Sequence, residues 1–204
     1  MTSLAAATAA LAQATPRKRI AVMVVLSAIS AILSNYTYTV FGIGGYPPLP
    51  GIWFGLVMAA GAWLWVTRSP FELLVVVLIT LAAWLLAYHV AIVVDGFIDR
   101  LLRPSVAADD ETGPWLLRHR DATKFAIDGL VAGFVGSLLT MFGASVFCRG
   151  LRAPAAWART VFIGTVAGLL LAVVDSKLNG LLLLFIVWQP AVAASIAWSL
   201  ERRT

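Results

Sequence analysis

The residues best equipped for chemistry lie near the ends of long apolar segments. Ser34-Asn35-Tyr36-Thr37-Tyr38-Thr39 gathers hydroxyl, amide and phenol groups in one short run, and a Gly- and Pro-rich stretch carrying Phe41 and Tyr46 follows it. Donors, acceptors and flat apolar surface together suit a small polar organic solute held in a pocket, with the loop as its cover. Asp128 and Asp175 fall within or at the edge of apolar segments. A charge facing lipid at the bilayer centre costs at least ~2.5 kcal/mol, so both carboxylates are expected to point inward. Lys124 stands one helical turn before Asp128, and Lys177 lies close to Asp175, so each acid has a cation in reach for an ion pair. Gln189 adds a buried amide beside Pro190, whose missing N–H breaks the backbone ladder and is expected to kink the helix. The candidate ligand contacts are therefore Asn35, Tyr36, Tyr38, Tyr46, Asp175 and Gln189.

Catalytic chemistry has less to work with. The only histidines are His89 and His119, and none follows Ser145 of Gly143-Ala144-Ser145, so a serine nucleophile there lacks a base. A bis-histidine haem needs both histidines inside a bundle, whereas His119 falls in a connection and His89 is expected to serve helix packing. Cys148 is the single cysteine, which excludes an intrachain disulfide or a cysteine-rich metal cluster. The acidic trio Asp109, Asp110 and Glu111 is expected to be a solvated loop. No catalytic residue, metal or cofactor is expected.

One short motif points elsewhere. Asp95-Gly96-Phe97-Ile98-Asp99-Arg100 resembles the opening of the CDP-alcohol phosphatidyltransferase signature, Asp-Gly-x-x-Ala-Arg, from a family with six spans and similar length. The resemblance implies carboxylates that bind divalent metal ions holding a diphosphate. Asp99 stands where that signature has Ala, and the downstream Gly-x-x-x-Asp-x-x-x-Asp is missing at its spacing. An enzyme of this kind is kept as a remote alternative.

The elements that must position these groups follow from hydropathy. Of the 204 residues, 61% are hydrophobic and only 12% charged, about half the charge of an ordinary soluble domain. Crossing a hydrocarbon core of ~30 Å takes about 20 apolar residues in a helix. The pattern predicts an all-α integral membrane protein, a six-span helical bundle with spans at about 20–38, 51–67, 73–94, 125–147, 160–174 and 178–200 and an external connection at 95–123. The Ala-rich residues 1–19 precede or carry the charges Arg17, Lys18 and Arg19, the wrong order for a secretory signal, so a tail leading into an uncleaved span is expected. A short tail, 201–204, ends the chain.

Orientation follows from the basic residues, which resist translocation. Arg17, Lys18, Arg19, Arg68, Arg149, Arg152, Arg159, Arg202 and Arg203 collect on one side. A smaller group on the other, Arg100, Arg103, Arg118, Arg120, Lys124 and Lys177, is interleaved with acids. Both termini are therefore expected in the cytoplasm, in a bacterial inner membrane. The net charge of +5 reflects span-flanking residues and lipid contact, not a nucleic-acid surface. Trp53, Trp115, Trp157 and Trp198 sit near span ends as an aromatic belt, while Trp63, Trp65, Trp84 and Trp188 are expected mainly to pack.

Small residues mark the helix contacts. Gly129, Gly133, Gly136, Thr140 and Gly143 share one face of the fourth span, and Gly164 and Gly168 lie on the fifth, allowing backbones to approach closely. Segments two and five are the shortest, and each has a Pro-x-x-Trp lead-in, Pro50 to Trp53 and Pro154 to Trp157. They hold equivalent places in two halves of opposite direction, so a 3+3 inverted repeat is expected. Without a nucleotide-binding loop, the leading expectation is a solute permease or the membrane subunit of a transport complex, associated with a partner subunit or with its own copies. The other is a scaffold whose glycine faces bind partner helices.

Overall fold

The computed structural model describes residues 13–41, 48–101, 120–173 and 181–200. Among them are six α-helices and no strand: α1 Pro16–Phe41, α2 Leu49–Trp65, α3 Pro70–Leu101, α4 Arg120–Phe147, α5 Pro154–Gly168 and α6 Leu181–Leu200. Two 3-10 turns, Arg149–Arg152 and Leu169–Val173, precede and extend α5. Proline opens helices here because its fixed φ and missing N–H suit the first turn, as at Pro50 in α2 and Pro154 in α5. Before α3, the Ser69 hydroxyl accepts the Glu72 N–H at 3.5 Å and caps the helix. Five helices, α5 together with its 3-10 extension among them, are long and apolar enough to cross a membrane, while α2 is apolar but has only 17 residues.

Helix ends differ from the hydropathy boundaries where charge begins. α3 continues past Val94 to Leu101, and α4 begins at Arg120, so both ends of the expected external connection are helical. With 32 residues α3 is about 48 Å long, well beyond the ~30 Å of hydrocarbon, which lets its last turns carry Asp95 and Asp99.

Contacts at named positions give the arrangement. Met23 of α1 meets Gly61 of α2, and Trp84 and Val77 of α3 meet Gly51 and Gly55 of α2. Ile79 of α3 meets Gly143 of α4, Gly129 of α4 meets Gly168 of α5, and Trp188 of α6 bonds to Gly164 of α5. Each pair runs antiparallel, and extensive packing of α1 on α6 closes the six helices into a ring in chain order.

The distribution of side chains is that of a protein in lipid. Phe71, Phe142, Phe162, Val25 and Ile29 are among many large apolar side chains turned outward. Ser27, Ser30, Ser34, Thr80, Ser137, Thr140, Thr160 and Ser195 are buried. Some of these hydroxyls donate to their own preceding turn, as Thr80 does to the Val76 carbonyl at 2.8 Å and Ser137 to Gly133 at 2.6 Å, whereas Ser27 and Ser30 have no hydrogen-bond partner. Small groups inside and bulky apolar groups outside is what packing requires when lipid tails compete equally for apolar surface. His89, expected to pack between helices, is exposed on α3.

The closest approach is between α4 and α5. A Cβ added at Gly129 would fall on the Gly168 carbonyl oxygen, and one at Gly133 on the Gly164 carbonyl oxygen. Gly96 on α3, by contrast, has open space around it. We expect Gly133→Val to force the helices apart and cost about 1–3 kcal/mol or more. Gly96→Ala should be neutral or stabilising by up to about 1 kcal/mol, through helix propensity. Thermal unfolding of the two purified variants in detergent checks both.

Candidate functional site

Between the helices of the ring lies a partly open cavity of about 300 Å³, at the lower end of small-molecule sites. Phe54 of α2, Thr80, Trp84, Tyr88 and Asp95 of α3, and Asp128, Ala132 and Gly136 of α4 form most of two walls. Gly168 ends α5 at the wall, and Phe185, Trp188 and Gln189 of α6 complete it. Among the described residues α1 lines none of it. Gly136 lets the Trp188 indole and the Ala87 methyl group pack close to the α4 backbone at this wall. The aromatic wall is mutually supported, with Trp84 and Phe185 ring centroids 5.5 Å apart and Phe54 and Trp188 5.6 Å apart, edge to face.

The cavity lies in the half of the bundle that holds the end of α3 and the start of α4. There Lys124 donates to Asp95 at 2.8 Å and to Asp99 at 3.2 Å. A spacing of four residues places both acids on one face of α3, turned to α4. The Lys124 partner expected within its own helix, Asp128, is replaced by these two across the helix interface. Asp128 is instead 3% exposed, and its Oδ1 has no hydrogen-bond partner.

At the deep end, Gln189 is 2% exposed and donates from Nε2 to the Ser34 hydroxyl at 3.1 Å, tying α6 to α1. Its Oε1 is left without a donor. Pro190 follows within α6, so this amide sits where the backbone ladder is already interrupted. The Trp188 indole N–H donates to the Gly164 carbonyl at 3.0 Å, which anchors the ring across α5.

Of the six residues proposed from sequence as ligand contacts, the cavity brings in Gln189. Asn35 and Tyr36 lie outside its lining, with Tyr36 61% exposed. The Tyr38 side chain, Tyr46 and Asp175 lie outside the described residues, as do His119 and the acidic trio. Gly129, Gly133, Gly136 and Gly168 line the cavity, Gly164 lies behind it against Ser137, and Gly143 packs on Ile79. Sequence reasoning missed the aromatic wall. Trp84 and Tyr88 are four apart, and Phe185, Trp188 and Gln189 fall at helical spacing, which signals one face but not what that face encloses. Among the described residues no group of three or more His, Cys, Asp or Glu side chains is placed to hold a metal ion.

The Asp95–Lys124 pair is partly exposed, so its coupling is expected to be modest. In a double-mutant cycle of Lys124→Met and Asp95→Asn we expect about 0.2–1 kcal/mol, with the double variant more stable than the two single losses added. Unfolding in detergent at low and high salt checks it, since a coupling that ignores salt points to packing and not charge.

Compared with known proteins, the chain matches no family model, no curated protein and no solved structure.

Proposed function

We propose that this chain is a six-span protein of a bacterial inner membrane, with both termini cytoplasmic, acting as a solute permease or as the membrane subunit of a transport complex. The observation that carries this reading is the cavity: a largely apolar, aromatic chamber between helices, lined in part by the almost wholly buried polar side chains of Asp128 and Gln189. A concave, mostly apolar space between helices with a few polar side chains in its lining is the form that small-molecule sites take.

Two further observations support the orientation and the repeat. At the end opposite the cavity, arginines stack on tryptophans: Arg68 over Trp63 at 4.7 Å, Arg159 over Trp198 at 4.9 Å and Arg19 over Trp65 at 6.0 Å. Arginine and indole together favour the headgroup region, and the excess of arginine favours the cytoplasmic side. The ring also closes through α3 on α4 and α6 on α1, contacts that interchange when the first three helices are exchanged with the last three, as a 3+3 inverted repeat requires. The scaffold reading gains nothing from the glycines of α4 and α5, because Gly129, Gly133, Gly164 and Gly168 are used against one another inside the chain.

A solute screen by thermal shift, followed by uptake of the stabilising solutes into proteoliposomes, tests the function. Ala132→Phe, which fills the cavity, should abolish stabilisation and uptake, and Phe162→Ala on the outer surface should preserve both. If solutes bind but none moves, the chain is a binding subunit and not a permease by itself; if Ala132→Phe changes nothing, the cavity is not the site. Orientation has its own measurement. In a Cys148→Ser background, a cysteine replacing Asp110 should react with an impermeant maleimide on intact cells, and reaction only after permeabilisation would invert the topology.

A further inference from the structure

We propose that the cavity takes an aromatic molecule of about two rings that carries no negative charge. This rests on the reading of the cavity as a solute site and adds the chemical class of the solute.

The first argument is the wall of rings. Trp84 and Tyr88 of α3 are stacked with centroids 6.5 Å apart, and Trp84 continues to Phe185 of α6 at 5.5 Å. Phe54 of α2 meets Trp188 of α6 at 5.6 Å. All five rings line the cavity, and each is held by another before anything binds, so an entering ring finds its aromatic partners already ordered. On the α4 side, the lining from Gly129 to Gly136 is glycine and alanine, a smooth surface against which a flat molecule makes contact along its length.

The second argument is size. An apolar cavity of about 150 Å³ accommodates benzene. With about 300 Å³, this one has room for roughly two such rings.

The third argument is charge. Polar groups of the lining are of both kinds, and several are engaged inside the protein: Thr80 with Val76, Trp188 with Gly164, Gln189 Nε2 with Ser34 and Asp95 with Lys124. A hydroxyl on the solute, which donates and accepts, suits a lining of this mixed character. Among the described residues, however, the lining contains no Lys, Arg or His, while it includes the acids Asp95 and Asp128. A carboxylate or phosphate would therefore leave water for a space that gives it no counter-ion and sets two acids beside it.

The test uses the full-length protein in detergent and three matched probes, 3-phenylpropanol, 3-cyclohexylpropanol and 3-phenylpropionate, with affinities from isothermal titration calorimetry. The phenyl alcohol should bind about two- to tenfold more tightly than the cyclohexyl alcohol, the range that ring-on-ring contact supplies. Partitioning into the micelle ranks these two the other way, because the saturated ring is the more hydrophobic. The carboxylate should bind about tenfold or more weakly than the phenyl alcohol. Phe185→Leu should reduce the preference for phenyl over cyclohexyl, and Ala132→Phe should remove binding of both alcohols. On the unaltered protein, equal or tighter binding of the cyclohexyl alcohol, equal or tighter binding of the carboxylate, or no binding of the phenyl alcohol overturns the inference, whether or not the variants fold. Saturated or anionic solutes that bind and are lost with Ala132→Phe would leave the solute site standing and sink only its aromatic, non-anionic specificity. Insensitivity of all solute binding to Ala132→Phe would sink the site itself.

Discussion

The backbones of α4 and α5 touch at Gly129 and Gly168 and again at Gly133 and Gly164, and the geometry of the bundle depends on that contact. In water, two apolar helices are driven together by burial of surface. In lipid that drive vanishes, because acyl chains solvate leucine as well as another helix does, and close packing must supply the attraction. The glycines permit it by removing every atom between the two backbones. α5 is thereby held close enough for the Trp188 indole to reach its Gly164 carbonyl, and the ring of Trp188 is fixed as part of the cavity wall. Gly136, on the same face of α4, lets the edge of that indole and the Ala87 methyl group come close to its backbone.

Polarity is distributed along the bundle as well as around it. One end carries arginines lying over tryptophans, an arrangement that places apolar rings and charged heads together at a membrane surface. The other end carries acids gathered around Lys124, with Asp128 set deeper, where it meets the cavity. The length of α3 makes this possible, since a helix that outruns the hydrocarbon can bring Asp95 and Asp99 against α4 without exposing them to lipid.

Most polar groups in the interior are satisfied by their own helix or by a near neighbour. Thr160 and Ser195 share a hydrogen bond at 2.8 Å, and Arg159 donates to the Ser195 hydroxyl and carbonyl. Asp128 and Gln189, each with one side-chain oxygen that has no partner, are residues that line the same apolar space.

The sequence by itself determined the class of fold, since no arrangement in water hides so much apolar surface, and the runs of Ile20–Tyr38, Leu73–Val94 and Phe125–Phe147 already have the length of a spanning helix. It also marked the smooth face from Gly129 to Gly143 and the amide of Gln189, because helical periodicity is local. It did not show that α3 continues through Asp95 and Asp99, since charge at the end of an apolar run ends a hydropathy segment without ending the helix. Nor did it show that Lys124 bonds across to α3 instead of to Asp128, or that Trp84, Phe185 and Trp188 surround a space. Those facts depend on which helices become neighbours and how closely they approach. Periodicity fixes the face on which a residue lies, and only packing in three dimensions decides what that face meets.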